Sequence, residues 1–354
     1  MQNFLAAIHD LLCDGRRVVL ARIIHQEGSS PRSLGTECLF LDDGSLIGSI
    51  GGGSLEHRVS KKAAETMEHG FSQTLNFRLA GSEVAQTEML CGGIVDVYIE
   101  PVFPENPAAF EVFKRIGHLL DKGGSGTLLT VIQNGLLHDD ATGRLLIEAD
   151  GTTTGSIGQL SQEEGLHLVE RHSGTSPRLL AAEGDRPPLF IETIKPYDML
   201  FLFGAGHIST FVAPLARKVG FQVIVFDDRQ EFANRERFPE ADKIVVCPWP
   251  AVFDENIPTP SSYMVIITRG HIHDLGILRQ ALNAKHAYIG MIGSRRKRNM
   301  IYQALRDEGV EQETLDRIHS PIGLAIGAQT PEEIAVSIVA ELIQVRAARS
   351  SGSV

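Results

Sequence analysis

Twelve residues at positions 42–53, DDGSLIGSIGGG, return at 149–160 as ADGTTTGSIGQL. Asp43/Asp150, Gly44/Gly151, Gly48/Gly155, Ser49/Ser156, Ile50/Ile157 and Gly51/Gly158 are identical pairs. The flanks follow in the same order. NFLAAIHDLLCDGRRVVLARII and AFEVFKRIGHLLDKGGSGTLLTVI each read as a helix pattern, a turn and a β-rich run, and DVYIEPV rhymes with PLFIETIKP. Alone, DGxxxGSIG would be a hairpin-friendly string, because Asp-Gly is a strong turn signal. With its flanks it implies duplication of an α+β unit, one copy over 1–104 and a second, degenerate copy over 105–196. The copies differ at the loop: Gly-Gly-Gly leads into Ser54-Leu55-Glu56 and a long helix in the first, whereas in the second the glycines become GQL and the helix is expected to be nearly lost.

From 197 to 354 the pattern changes. MLFLFG, FQVIVFDD, KIVVC, SYMVIITRG and AYIGMIGS are short, near-continuous apolar runs separated by helical stretches. Strands of this kind belong to a parallel sheet covered on both faces. The expected fold class is therefore α/β: a C-terminal Rossmann-like, doubly wound parallel sheet, preceded by an N-terminal α+β domain made of two related copies.

Several segments could carry chemistry. FGAGHIS at 203–209 follows a strand and opens a helix, and Asp227 ends the next strand, 227 − 204 = 23 positions later. This is the setting of a dinucleotide loop. Gly204 would make the tight turn, Gly206 would let backbone approach a phosphate beside His207, and Asp227 or Asp228 would accept from a ribose hydroxyl. Ser209 stands in place of the third glycine, which is expected to loosen helix-to-strand packing. Arg269, His271, His273 and Asp274 follow the next apolar strand, at the edge where open α/β sheets bind ligands. Gly293, Ser294, Arg295, Arg296 and Lys297 lead into another helix, where cations in the first turn oppose the macrodipole and call for an anion. In the first copy, Gly28, Ser29, Ser30 and Arg32 lie between strands, near in sequence to Gly51, Gly52, Gly53 and Glu56, and could help form an anion pocket. Cys91, Gly92 and Gly93 precede a further strand.

The formal net charge of −11 argues against a general nucleic-acid binder. No apolar run reaches the roughly 18–20 residues needed to span a bilayer. MQNFLAAIHDLLCDGRR has its charges after the apolar stretch, as an amphipathic helix does and a signal peptide does not. Cys13, Cys38, Cys91 and Cys247 show no C-x-x-C spacing, which suits a reduced, cytoplasmic protein. No nucleophile-and-base pair or catalytic-metal spacing stands out.

The stretches GSSPRSLG, GSIGGGSLE, CGGIVDVYIEP, FLFGAGHIS, VIVFDDR, ITRGHIHD, YIGMIGSRRKR and SPIGLAIGAQTPEEIAVSIVAELI occur in family order, and through them the chain resembles the xanthine dehydrogenase accessory family (XdhC/CoxI). The resemblance implies a maturation chaperone rather than an enzyme. Such a chaperone binds the molybdenum cofactor in its molybdopterin form, promotes its sulfuration with a cysteine desulfurase, and delivers it to a xanthine dehydrogenase-type molybdenum hydroxylase. It also implies a homodimer. Two positions depart from the family: Arg269-Gly270 stands where many relatives have His-Asp, and Ser54 where many have Cys. Either Cys91 alone then meets molybdenum or sulfur, or no thiol does. The alternatives are an NAD(P)-linked oxidoreductase using the FGAGHIS loop, with His271 or His273 as acid/base, and a scaffold whose Rossmann region has lost its ligand.

Overall fold

The computed structural model describes residues 4–30, 32–78, 93–135, 143–158, 160–172, 176–184 and 186–350. Two compact units meet in sequence at Pro196 and Tyr197.

The first unit begins with α1 (Phe4–Cys13), β1 (Val18–Glu27), β2 (Glu37–Leu41), β3 (Leu46–Gly48), α2 (Gly53–His69), β4 (Gln73–Arg78) and β5 (Ile94–Val102). It continues with α3 (Pro107–Asp121), β6 (Gly126–Val131), β7 (Arg144–Glu148), β8 (Thr153–Ser156), α4 (Gln162–Arg171), β9 (Arg178–Leu180) and β10 (Leu189–Ile194). The first sheet has the order β3-β2-β1-β5-β4 and the second β8-β7-β6-β10-β9. These are one topology under the shift β1→β6 through β5→β10, and every pairing is antiparallel.

The helices end where local chemistry dictates. α1 buries Leu5, Ala6, Ile8 and Leu12, the amphipathic face read from the sequence. Asn106 caps α3 by accepting from the Ala109 amide, with Pro107 at the first helical position. α4 corrects the expectation of a nearly lost helix. It keeps ten residues against the seventeen of α2, because Ser161 and Glu164 form a complete capping box that starts it without a glycine run.

One face of each sheet is apolar and lies under its own helix. Val19, Ala21, Ile23, Val95 and Val97 pack with Leu55, Val59 and Ala63 of α2; Leu129, Leu145, Ile147 and Ile191 pack with Leu166 and Val169 of α4. On the opposite faces the two sheets meet, with Tyr98 and Phe190 fully buried in one cluster. This interface also buries charge. Arg22 (β1) pairs with Glu37 (β2) at 2.7 Å and with Glu192 (β10) at 2.8 Å, and Arg144 (β7) pairs with Glu100 (β5). Glu100 and Glu192 occupy equivalent positions, opposite Leu20 on β1 and Leu128 on β6. Each repeated glutamate thus finds its arginine in the other copy. Burial pushes the Glu192 carboxyl up to about 8 against the attraction of Arg22.

The second unit runs β11 (Met199–Phe203), α5 (His207–Lys218), β12 (Gln222–Asp227), β13 (Lys243–Val246), β14 (Ser262–Ile266), α6 (His271–Leu282), β15 (Tyr288–Met291), α7 (Arg295–Asp307), α8 (Gln312–Asp316) and α9 (Pro331–Ser350). Its sheet is parallel throughout, in the order β13-β12-β11-β14-β15. Cores lie on both faces. Leu200, Leu202, Val223, Val225 and Val265 pack on one side against α5 and α9, while Phe201, Phe203, Phe226, Met264 and Ile266 face α6 and α7 on the other. The order reverses between β11 and β14, which sets a switch point at their carboxyl ends. No helix of the described residues is long and apolar enough to cross a membrane.

Candidate functional site

The carboxyl edge of the parallel sheet carries the first constellation. Gly204 turns the chain out of β11 with φ 104°, and a Cβ there would lie 2.3 Å from the Ile267 carbonyl oxygen. Only glycine permits both the backbone and the close approach to β14. Gly206 precedes α5, a Cβ there would meet nothing within 4 Å, and no side chain caps this helix. The first-turn amides of α5 are therefore available to an anion. His207 is exposed at the first position of the helix. Ser209 corrects the expectation of loosened packing: it is fully buried and donates its hydroxyl to the Gly204 carbonyl, tying helix to turn.

Asp227 ends β12 and Asp228 follows it, and the structure separates their roles. Asp227 is 1 % exposed; it accepts from the Ala205 amide at 2.8 Å and from the Arg229 amide and Nε at 3.1 and 2.9 Å. Burial pushes its carboxyl up, but the Arg229 side chain and the Ala205 amide outweigh that and hold it below the usual carboxylate range. Asp227 is thus a brace of the glycine loop, with its oxygens already committed. Asp228 is more open, and accepts from Arg269 Nη2 at 2.7 Å.

Between the starts of α6 and α7 lies a cleft of about 370 Å3, lined among others by Arg269, Gly270, His271, Ser294, Arg296 and Lys297. Gly270 precedes α6 without a side-chain cap, and Ser294 caps α7 by accepting from the Lys297 amide at 3.3 Å. Two helix N-termini and a set of cations converge here, an arrangement suited to a phosphate-type anion. Asp274 does not line this cleft. It is fully buried, accepts from the Thr268 amide and hydroxyl at 3.2 and 2.5 Å, and pairs with Lys297. The cationic first turn of α7 is therefore answered partly from within: Lys297 by Asp274, and Arg298 by the Ser320 carbonyl at 3.1 Å. Gly293 leads into the cap, and Arg295 is exposed but outside the cleft lining, which Arg296 and Lys297 supply instead. Both belong, with Arg295, to the cationic first turn read from the sequence.

A polar hub in this unit escaped the sequence reading. Glu341 of α9 accepts from the Tyr288 hydroxyl at 2.5 Å and the Gly323 amide at 2.9 Å, and lies 3.1 Å from His319 Nδ1. Its only sequence signal is a carboxylate on the buried stripe of the helix, in IVAELI.

In the first unit, strand register gathers a second set of loops. The end of β1, the end of β4 and the start of β5 lie together, since Glu27 and Arg78 are both opposite Ile94, whereas the start of β2 and the end of β3 stand level with Ala21, Cys38 being opposite both Ala21 and Gly48. Gly28 and Ser29 are thereby brought to Gly93, while Gly51, Gly52 and Gly53 follow β3 into α2. A Cβ on Gly93 would sit 2.4 Å from the Ser29 carbonyl oxygen, so two motifs distant in sequence touch through backbone. Gly51, Gly52 and Gly53 all have positive φ. Glu56 reaches back from α2 to accept from the Ser49 hydroxyl at 2.8 Å and the Gly52 amide at 3.3 Å, so it braces the loop. Cys91 and Gly92 lie outside the described residues. Cys38 is buried, and burial together with Glu56 and Glu37 pushes its thiol up, away from reactivity. No His/Cys/Asp/Glu group among the described residues has the form of a metal site.

Two family models match the chain, "XdhC Rossmann domain" over 200–342 and "XdhC and CoxI family" over 11–78, together more than half of it. It is 29% identical over 348 residues to a Bacillus subtilis (strain 168) protein named as a probable xanthine dehydrogenase subunit, covering 98% of each chain. It is 21% identical to the Escherichia coli (strain K12) protein named "Molybdenum cofactor insertion chaperone PaoD", over 95% of this chain and 86% of that one. A crystal structure from Bacillus halodurans, described as a xanthine dehydrogenase, superposes with a TM-score of 0.80 at 28% identity, covering 100% of this chain and 98% of the other. Fold, glycine loops and both matched regions agree: the chain belongs to the XdhC/CoxI family.

Proposed function

We propose that the chain binds the molybdenum cofactor, shields it, assists its sulfuration and delivers it to a xanthine dehydrogenase-type molybdenum hydroxylase. An accessory role toward such an enzyme follows from the family and from the relatives' names. The observation that carries the finer reading is the edge of the parallel sheet, where the uncapped start of α5 and the cationic cleft between α6 and α7 supply amides and guanidinium groups for a phosphate. The cofactor is cargo here: a pterin dithiolene whose anionic tail would rest on the Gly204–Gly206 loop or in the α6/α7 cleft. On the first sheet, the Gly28–Arg32 loop beside Gly93 and the Gly51–Gly53 loop before α2 are proposed as further contacts for the cofactor. Cys91 is the thiol proposed to meet molybdenum or sulfur, with a cysteine desulfurase as sulfur donor. The working form is proposed to be a cytoplasmic homodimer.

The test is direct. Protein purified from a host with an active molybdenum-cofactor pathway should release pterin fluorescence after oxidation. Cys91→Ser or Gly52→Val should lower the yield. A wild-type chain that never carries pterin would overturn the reading. The Rossmann strand order also supports NAD(P) binding as a second reading; NADH titration followed by a hydride-transfer assay would reveal it.

A further inference from the structure

The order β12-β11-β14 places the Gly204–Gly206 turn at the end of the middle strand. Asp228 follows β12 and Arg269 follows β14, so their 2.7 Å contact passes across that end. The pair is not what holds the two loops. Asp227 ties the β12 end to Ala205, and Asp274 ties Thr268 to α6. Arg269 is 45 % exposed and Asp228 24 % exposed, so the bridge is open to exchange. The second oxygen of Asp228, Oδ1, is shielded from solvent without a hydrogen bond, its nearest cation being Arg229 Nε at 3.6 Å. A carboxylate in that state holds Arg269 with one oxygen only.

We propose that Asp228 is the internal competitor for Arg269, and that the pair is a selectivity gate over the glycine loop. A phosphoryl group brings more charge and more acceptor oxygens than one carboxylate and can take a guanidinium bidentately. It therefore displaces Asp228 from Arg269. A monocarboxylate offers Arg269 nothing that Asp228 does not already supply. The gate admits phosphorylated ligands and refuses carboxylates. This rests on reading the carboxyl edge of the sheet as a phosphate-binding edge, and not on the identity of the cargo.

The experiment is a calorimetric titration of the full chain with inorganic pyrophosphate. Asp228→Asn removes the competing charge, leaving Arg269 at most a neutral acceptor, and should bind about two- to fivefold tighter than wild type, the range expected from removing one exposed ion pair. Arg269→Gln should bind more weakly than wild type. In the Arg269→Gln background, adding Asp228→Asn should change nothing. Asp228→Ser serves as a second variant if Asp228→Asn does not fold. Equal or weaker binding by Asp228→Asn, or no binding by it, overturns the gate. So does a tightening that persists without Arg269, because it would reflect bulk charge alone. Pterin content is scored separately on the same proteins: a chain that carries no pterin yet shows this cycle loses the cofactor reading and keeps the gate.

Discussion

Arg22→Met tests the charged interface between the two sheets of the first unit. Arg22 is 1 % exposed and faces Glu37 at 2.7 Å and Glu192 at 2.8 Å, so its removal strands two carboxylates away from water. Methionine fills most of the space, which leaves charge as the main loss. Burial raises both carboxyls, Glu192 to about 8, while the buried Arg22 charge calls for one ionised partner, so the new penalty is that of a single carboxylate. A stranded carboxylate escapes by taking a proton. At pH 7 that costs about 3.7 kcal/mol relative to an unfolded glutamate ionising near 4.3, within the range for breaking a buried pair. At pH 5 the same step costs only about 1 kcal/mol. For a unit of this size each kcal/mol lowers Tm by roughly 2–4 °C, giving about 7–15 °C at pH 7 and a few degrees at pH 5. Thermal scans of the full chain at both pH values measure the loss, with hydrogen exchange of β1 and β10 assigning the transition. A loss under about 1 kcal/mol at pH 7, or one equal at the two pH values, would refute the argument.

Two further outcomes follow from the same physics. Glu192 has a raised carboxyl in the fold, so the folded chain holds a proton that the unfolded chain releases. Its stabilising share is complete below the ordinary glutamate range and is lost as pH rises to about 8. Urea unfolding should show the first unit weakening between pH 5 and pH 8, and Glu192→Gln should flatten that slope. Gly204→Ala places a Cβ 2.3 Å from the Ile267 carbonyl oxygen at φ 104°, and should destabilise the second unit by about 1–3 kcal/mol, with faster hydrogen exchange at the ends of β11 and β14.

The repeat, the strand-and-helix alternation and the glycine loops were legible because each is set by local backbone chemistry. Asp-Gly turns, period-two strands and G-x-G before a helix act within a few residues of one another. The same local rules misjudged α4, where a serine–glutamate cap replaced the glycine run, and Ser209, where a hydroxyl does what a glycine would have done by absence of bulk.

Which carboxylates are committed was not legible. Asp227, Asp274 and Glu56 look in sequence like open ligand groups, yet each is spent on backbone amides and side chains of the fold itself. Asp228, one residue from Asp227, reaches instead to Arg269, 41 positions away. The sequence by itself determined the duplicated α+β pattern, the parallel α/β unit and where the glycine loops stand. Only tertiary structure decided that Glu100 and Glu192 exchange arginines between copies, and that Lys297 answers Asp274. The reason is physical: backbone conformation follows from neighbours along the chain, whereas an ion pair depends on which strands and helices pack side by side.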